Sequence, residues 1–418
     1  MRSWSSPEVV TETALREPLR LFDTASRSKR EIVGTGGLAR IYTCGITPYD
    51  STHLGHAATY HTADLVRRTL QDSGLRVEAA QNVTDVDDPL LERAAKTGVD
   101  WRELAREQSE LFASDMEHLR IIAPESYRTV SEEIPGIVEI VAGLAKAGYA
   151  YRVPTEDALH EGDRDWYLDL SAGGDLGGVC GMSREEMLAV FAERGGDPER
   201  PGKRGKFDPL LWRVAREGEP SWEAEELGAG RPGWHVGCVR IAGSTLELPF
   251  DVQIGGSDLA FPHHDMCHSH AKALGKPGFA GVYAHVGMVA LDGEKMSKSL
   301  GNLVFVSKLV AGGEDPRAIR LVLLSQHYRR DWEWRAEMLA GARERLGNYR
   351  RAAAANDPET CLAVRRALRD DLDTPKALRL LDSWAQKHAA EGEAEGGAAS
   401  EPGDVARLCD SLLGLRLA

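Results

Sequence analysis

Two short clusters in this chain of 418 residues carry side chains suited to handling phosphate. His53-Leu54-Gly55-His56 sets two imidazoles around a glycine where a strand gives way to a helix. At the positive end of a helix dipole such a pair suits triphosphate oxygens, and glycine lets a nucleotide approach the backbone. The same four residues would also serve as an ordinary helix start with two exposed histidines. Lys295-Met296-Ser297-Lys298-Ser299 follows a strand-like run. Two lysines on a loop can close over phosphates and neutralise charge growing on a leaving pyrophosphate; a solvated basic loop is the plainer alternative. No GxxxxGK[ST] run occurs, so the cradle is not a Walker loop.

Both clusters need a scaffold that gathers strand ends. RIYTC at 40–44 reads as a short apolar strand ending in the turn GITPYD. The pattern predicts a helix over 54–72, closed by Ser73-Gly74, and then a strand, RVEAAQNV, running into a polar loop at 82–88. Strand, helix, strand at this spacing is a βαβ unit, hence a parallel sheet. Two further helices are expected over 101–120 and 130–148. Between 151 and 206 glycine, proline and charge dominate, as in an insertion. A strand is expected over 246–256, a helix over 262–274 and a strand over 282–291. Everything beyond 315 reads as helical, with helices over 335–351, 363–369 and 376–390 and a linker-like tract, EGEAEGGAASEPGD, at 391–404. The expected architecture is α/β, a doubly wound parallel sheet. It divides into an N-terminal segment (1–35), a first half (36–150), an insertion (151–206), a second half (207–314) and a helical region (315–418).

Composition narrows the class. With 42% apolar and 28% charged residues the chain is an ordinary globular one, and no run approaches the 18 apolar residues of a membrane span. The formal charge of −14 argues against a broad nucleic-acid footprint. The first residues lack an apolar leader, so a cytoplasmic protein is expected. Its six scattered cysteines then read as metal ligands or core residues rather than disulfides. A monomer is expected.

The two clusters, in this order and both at strand ends, resemble the signature pair of class I aminoacyl-tRNA synthetases, which make aminoacyl adenylates from ATP on a Rossmann-type domain. The chain is more closely similar to the cysteinyl-tRNA synthetases through YTCG at Cys44, NVTDVDD at 82–88, FDPLLW at Phe207, GWHVGC at Gly233 and GGSDLAFPHH at Gly255. That resemblance covers about residues 36–334 and implies one Zn²⁺, held by Cys44, Cys238 and His263, that binds the substrate cysteine as thiolate. A doubly wound sheet brings strand ends to one crevice, so residues this far apart can meet there. Thiolate and imidazole suit zinc, and three ligands leave a position open. Soft-ligand preference rejects serine without an editing site. The family's glutamate four residues after the histidine is here Cys267, which reads as a passive helix residue or a fourth ligand.

By the same resemblance, Gly45, Ile46, Thr47 and Thr59 line the adenylate site, Asn82, Val83 and Thr84 close it, and Trp234 walls the amino-acid side. Gly256, Ser257 and Asp258 hold the ribose and adenine edge, with Val289 on the base. His53 and His56 hold the triphosphate, Lys295 and Lys298 stabilise the transition state, and Mg²⁺ accompanies ATP. His235 is one candidate for the base of the second step, a structural histidine the other reading.

The acceptor is decided by departures. Only about 84 residues follow Trp334, with few aromatic and basic side chains to stack anticodon bases. CGITPYD at Cys44, DPL at Asp88 and ERGGDP at Glu193 resemble the synthetase paralogues of mycothiol biosynthesis. These ligases join L-cysteine to the amine of glucosaminyl-inositol, forming an amide bond as ATP is cleaved to AMP and pyrophosphate. A cysteinyl-tRNA synthetase lacking a full anticodon domain is the other reading.

Overall fold

The computed structural model describes residues 3–9, 15–49, 52–296, 303–388 and 401–417, with Lys295 described by its main chain only. Lys298 and its serine neighbours therefore lie outside the described residues, as do Asp50 of the GITPYD turn and 391–400 of the linker-like tract.

Five parallel strands form the centre, in the spatial order Ala280–Val286, Phe250–Gly256, Leu38–Thr43, Arg76–Val83, Ser126–Thr129. Numbered in chain order and read from the Ser126–Thr129 edge this is 3-2-1-4-5, a doubly wound sheet whose direction of growth reverses beside Leu38–Thr43. Both faces are covered, so the strands are apolar along most of their length; Val252 and Ile254 are fully buried. Gln253 breaks the run between them, equally buried, and its amide turns out to serve the site. The helix Leu54–Asp72 follows the first strand over the predicted range. His53 caps it by accepting the Gly55 N–H on Nδ1 at 3.1 Å, and no acid sits in its first turn to cancel the dipole.

The structure departs from the sequence pattern at several places. The N-terminal segment contains a hairpin, Leu19–Asp23 with Ser28–Ile32. The polar loop at 82–88 ends in a helix, Asp88–Thr97, because Asp87 caps it and Pro89 suits its first turn. The insertion is not featureless: Ala150–Pro154, Arg164–Leu168, Leu210–Val214 and Gly230–Pro232 make an antiparallel sheet that runs well past residue 206. A helix not read from the pattern, Trp234–Thr245, follows it. The expected strand over 282–291 is two strands in different sheets. Val289–Leu291 leaves the central sheet to pair with Glu294–Lys295 and with Trp332–Glu333, a strand inside the region read as helical. The break falls at Gly287, where a Cβ would lie 2.3 Å from the Arg330 carbonyl. The helix expected over 262–274 is regular only from Asp265 to Ala273, because Phe261 is extended (φ −138°, ψ 133°).

The C-terminal helices share one core with the sheet: Leu346, Tyr349, Trp384 and Leu412 belong to the same buried cluster as Val66 and Leu70. A buried charge network ties them down. Arg320 donates to the Leu413 and Leu119 carbonyls and pairs with Asp64, which also receives Arg68 Nε at 2.8 Å. Burial alone would raise the Asp64 carboxyl, but the two guanidiniums outweigh it and hold it at about 2. Among the described residues no helix is long and apolar enough to cross a membrane.

Asp115, on the helix Trp101–His118, is the opposite case. It is fully buried with no cation beside it, and burial outweighs the Thr52 hydroxyl to push its pKa up to about 7. A carboxyl that holds its proton more tightly folded than unfolded loses stability as pH rises from about 4 through 7, by about 1.4 kcal/mol per pH unit at most. Asp115→Asn is therefore expected to raise Tm at pH 8, with the gain shrinking towards pH 4. Melting curves at pH 5 and 8 that show the same gain would refute this.

Candidate active site

A cavity of about 470 Å³ opens at the carboxyl ends of the parallel strands, where the strand order reverses. Cys44, Gly45, Ile46 and Thr47 enter it from the first strand, Asn82 and Thr84 from the second, and Gly256 and Asp258 from the fourth. His53, His56 and Thr59 reach it from the helix Leu54–Asp72 and its cap, Trp234 and Cys238 from the helix Trp234–Thr245, and His263 from the irregular turn before Asp265. Val289 lies on the wall beyond the fifth strand. Of the expected residues whose side chains are described, two are not among the lining. Val83 turns into the apolar core, paired with Thr129, and Ser257 begins the short turn ahead of Asp258.

The loop after the first strand is drawn tightly against the second. Asn82 Oδ1 accepts the Gly45 N–H at 2.8 Å and the Tyr42 hydroxyl at 3.1 Å, while its Nδ2 donates to Thr84 Oγ1 at 3.0 Å. A Cβ on residue 45 would fall 1.5 Å from the Asn82 carbonyl oxygen, so only glycine allows this approach. Tyr60, which the sequence did not flag, lines the cavity and donates its hydroxyl to the Cys44 carbonyl at 3.2 Å.

His53 and His56 stack with ring centroids 3.9 Å apart at the start of the helix Leu54–Asp72, whose first turn holds no acid. The chain just after the lysine cluster returns to them: the Leu54 N–H donates to Val304 O at 2.9 Å and the Val306 N–H to Thr52 O at 3.3 Å. Within the cluster, the Met296 N–H donates to Val289 O at 3.0 Å, and Met296 itself lines the cavity. The chain after the cluster thus adjoins the histidine pair, and Met296 opens into the same cavity.

At the other end, Cys44, Cys238 and His263 are buried with their ligand atoms all within 4.8 Å of one another. Burial pushes the Cys44 and Cys267 thiols well up, with the charge of Cys238 adding to it, whereas hydrogen bonds from Cys267 and Cys44 pull Cys238 well down. Burial and the neighbouring Cys238 thus oppose ionising Cys44 or Cys267, and a cation held between the sulfurs would offset that cost. Two sulfurs and one imidazole nitrogen, dry and convergent, fit a thiophilic metal ion with a ligand position to spare. Cys267 lies 3.8 Å from His263 Nε2 but outside the convergent trio. Cys267→Ser is expected to retain bound metal; its loss on dialysis would make Cys267 a ligand.

Neighbours orient this trio. His235 Nδ1 sits 3.0 Å from His263 Nδ1, which leaves His263 Nε2 to face the metal position. Burial, then the neighbouring His263, lowers the His235 pKa. With Nε2 of His263 turned to a metal, its Nδ1–H would donate to His235, a supporting contact. Trp234 stacks on His263 at 4.4 Å. Cys44 Sγ receives Gln253 Nε2 at 3.1 Å and faces His264 Nε2 at 3.3 Å. A chain continues from His264 Nδ1 to His285 Nε2 (2.7 Å) and from His285 Nδ1 to Thr24 Oγ1 (2.6 Å). With Cys44 ionised, every proton in that chain points towards the sulfur. Only the adjacent His263-His264 pair hinted at it in the sequence.

The family profile described as tRNA synthetases class I (C) catalytic domain matches residues 32–344. A Brachybacterium faecium protein named L-cysteine:1D-myo-inositol 2-amino-2-deoxy-alpha-D-glucopyranoside ligase is 61% identical over 420 residues, covering 100% of both chains. A Streptomyces griseus protein of the same name is 52% identical, again over 100% of both. Among solved structures, Mycobacterium tuberculosis methionyl-tRNA synthetase in complex with methionyl-adenylate shares the fold with a TM-score of 0.61 at 18% identity, covering 91% of this chain and 88% of that one.

Proposed function

Because the chain belongs to the class I tRNA synthetase family, and within it to the L-cysteine:1D-myo-inositol 2-amino-2-deoxy-alpha-D-glucopyranoside ligases, we infer that it is an ATP-dependent ligase of mycothiol biosynthesis. It activates L-cysteine as cysteinyl-AMP with release of pyrophosphate. It then transfers the cysteinyl group to the amine of glucosaminyl-inositol, releasing AMP. The observation that carries the cysteine half is the opening of the Cys44, Cys238 and His263 trio and of an acid-free helix N-terminus into one cavity.

The reading assigns roles as follows. The cysteine carboxylate oxygen attacks the α-phosphorus and pyrophosphate departs; positioning and charge stabilisation suffice, without a protein nucleophile. His53 and His56 bind the triphosphate at the helix end, and Lys295 and Lys298 neutralise charge on the departing pyrophosphate. Gly45, Ile46, Thr47, Thr59, Asn82, Thr84, Gly256 and Asp258 enclose the adenylate, with Val289 against the base. Cys44, Cys238 and His263 hold Zn²⁺, which supplies a Lewis acid that keeps the substrate sulfur as thiolate. Trp234 closes the amino-acid side. Mg²⁺ travels with ATP. In the second step a neutral amine displaces AMP from the mixed anhydride. The protein acts as a cytoplasmic monomer in this reading, in keeping with six free, buried cysteines.

The test offers ATP and cysteine with either glucosaminyl-inositol or tRNA. AMP release that depends on the amino sugar, without tRNA charging, is the expected result. The reverse pattern would make the protein a cysteinyl-tRNA synthetase.

A further inference from the structure

We propose that Arg194, in the insertion, is a positioning residue that sets the spacing between the nucleotide wall and the sulfur-binding end of the cavity. Asp258 and His263, which line those two ends, sit on one irregular segment: a short turn at Ser257–Leu259 runs into Ala260–His264, interrupted by the extended Phe261. Such a stretch lacks the continuous ladder that rigidifies a helix, so its carbonyls need donors from outside. Arg194 supplies them. Its Nη1 donates to the Asp258 carbonyl at 3.1 Å and to the Phe261 carbonyl at 2.6 Å. Among the described residues it forms no ion pair with a carboxylate, so its guanidinium is committed to this backbone.

The insertion holds the same segment twice more. Phe191, at the end of the helix Arg184–Phe191, packs on Phe261 with ring centroids 5.9 Å apart. Just beyond the segment, the buried Asp265 carboxylate accepts the N–H groups of Gly177, Val179 and Cys180. The insertion is thus fastened on either side of His263, and Arg194 is its one side chain bonded to the backbone of Asp258 itself. Both bonds leave one nitrogen, Nη1, which the planar guanidinium holds in a fixed orientation; a lysine ammonium is a freely rotating point charge on a shorter stem and satisfies this geometry only in part.

The inference rests on the adenylation half of the proposed function alone. Its assay is therefore cysteine-dependent ATP–pyrophosphate exchange, which needs no acceptor. Failure of the unmodified protein to exchange would sink that reading, whereas the variants test Arg194. Arg194→Ala is expected to raise KM for ATP about tenfold with kcat changed less than about threefold, because a displaced wall loses ground-state contacts. Arg194→Lys should fall between the two, and added guanidinium ion should bring the alanine variant back towards the original KM. Glu186→Ala is the control: it breaks the capping box of Arg184–Phe191, formed with Ser183, without touching the 257–264 backbone. Its KM should stay unchanged. An unaltered KM in Arg194→Ala, or an equal rise in Glu186→Ala, would overturn the proposal.

Discussion

Cys238→Ala is expected to abolish cysteine-dependent ATP–pyrophosphate exchange and to leave the chain without bound metal. Cys238 is the thiol its surroundings most favour as thiolate, and it is 1% exposed within a trio whose atoms lie inside 4.8 Å of one another. Removing it leaves one sulfur and one imidazole nitrogen, too few to retain a metal ion in a dry site. The substrate sulfur then has nothing to bind, and cysteine loses both affinity and selection over serine. A fall of at least about 10³ in kcat/KM, some 4 kcal/mol, is the expected scale. Metal content after dialysis, measured beside the exchange rate, checks it; a metal-free variant with full exchange would remove the thiolate anchor from the mechanism.

Lys298→Ala should lower the exchange kcat by about 10²–10³, or roughly 2–4 kcal/mol, as when one donor to developing charge is removed. KM for cysteine should hardly move, because the amino-acid end of the cavity is untouched. Lys298 lies outside the described residues, but both flanks are placed. Met296 lines the cavity, and 304–306 are hydrogen-bonded to the chain at Thr52 and Leu54. An unchanged kcat, or a loss expressed only in KM, would take the pyrophosphate role from this lysine.

The local pattern was legible where one physical rule acts alone. The βαβ unit, and the helix from Leu54 to Asp72, could be read from apolar runs punctuated by Ser-Gly, and the structure has that helix with the same ends. HLGH carries its chemistry in four consecutive residues, since a helix end and its cap are local objects. Legibility failed where a distant partner decided. The run 282–291 looks like one strand until Gly287 has to pass the Arg330 carbonyl and the chain changes sheets. The insertion reads as irregular because its strands are short; Arg164–Leu168, an inner strand of its sheet, is held by pairing with Ala150–Pro154 and with the distant Leu210–Val214 rather than marked by alternation.

By itself the sequence determined the doubly wound class; it also singled out the two clusters proposed to handle phosphate and, through resemblance, the trio proposed to bind sulfur. Only the tertiary structure decided that Cys44, Cys238 and His263 converge, that Val83 faces the core while Asn82 and Thr84 face the cavity, and that His235, His264 and Gln253 serve the trio as supports. The reason is geometric. Residue type reports what a side chain can bond, but its actual partner depends on which strand ends and turns the sheet carries to the same crevice.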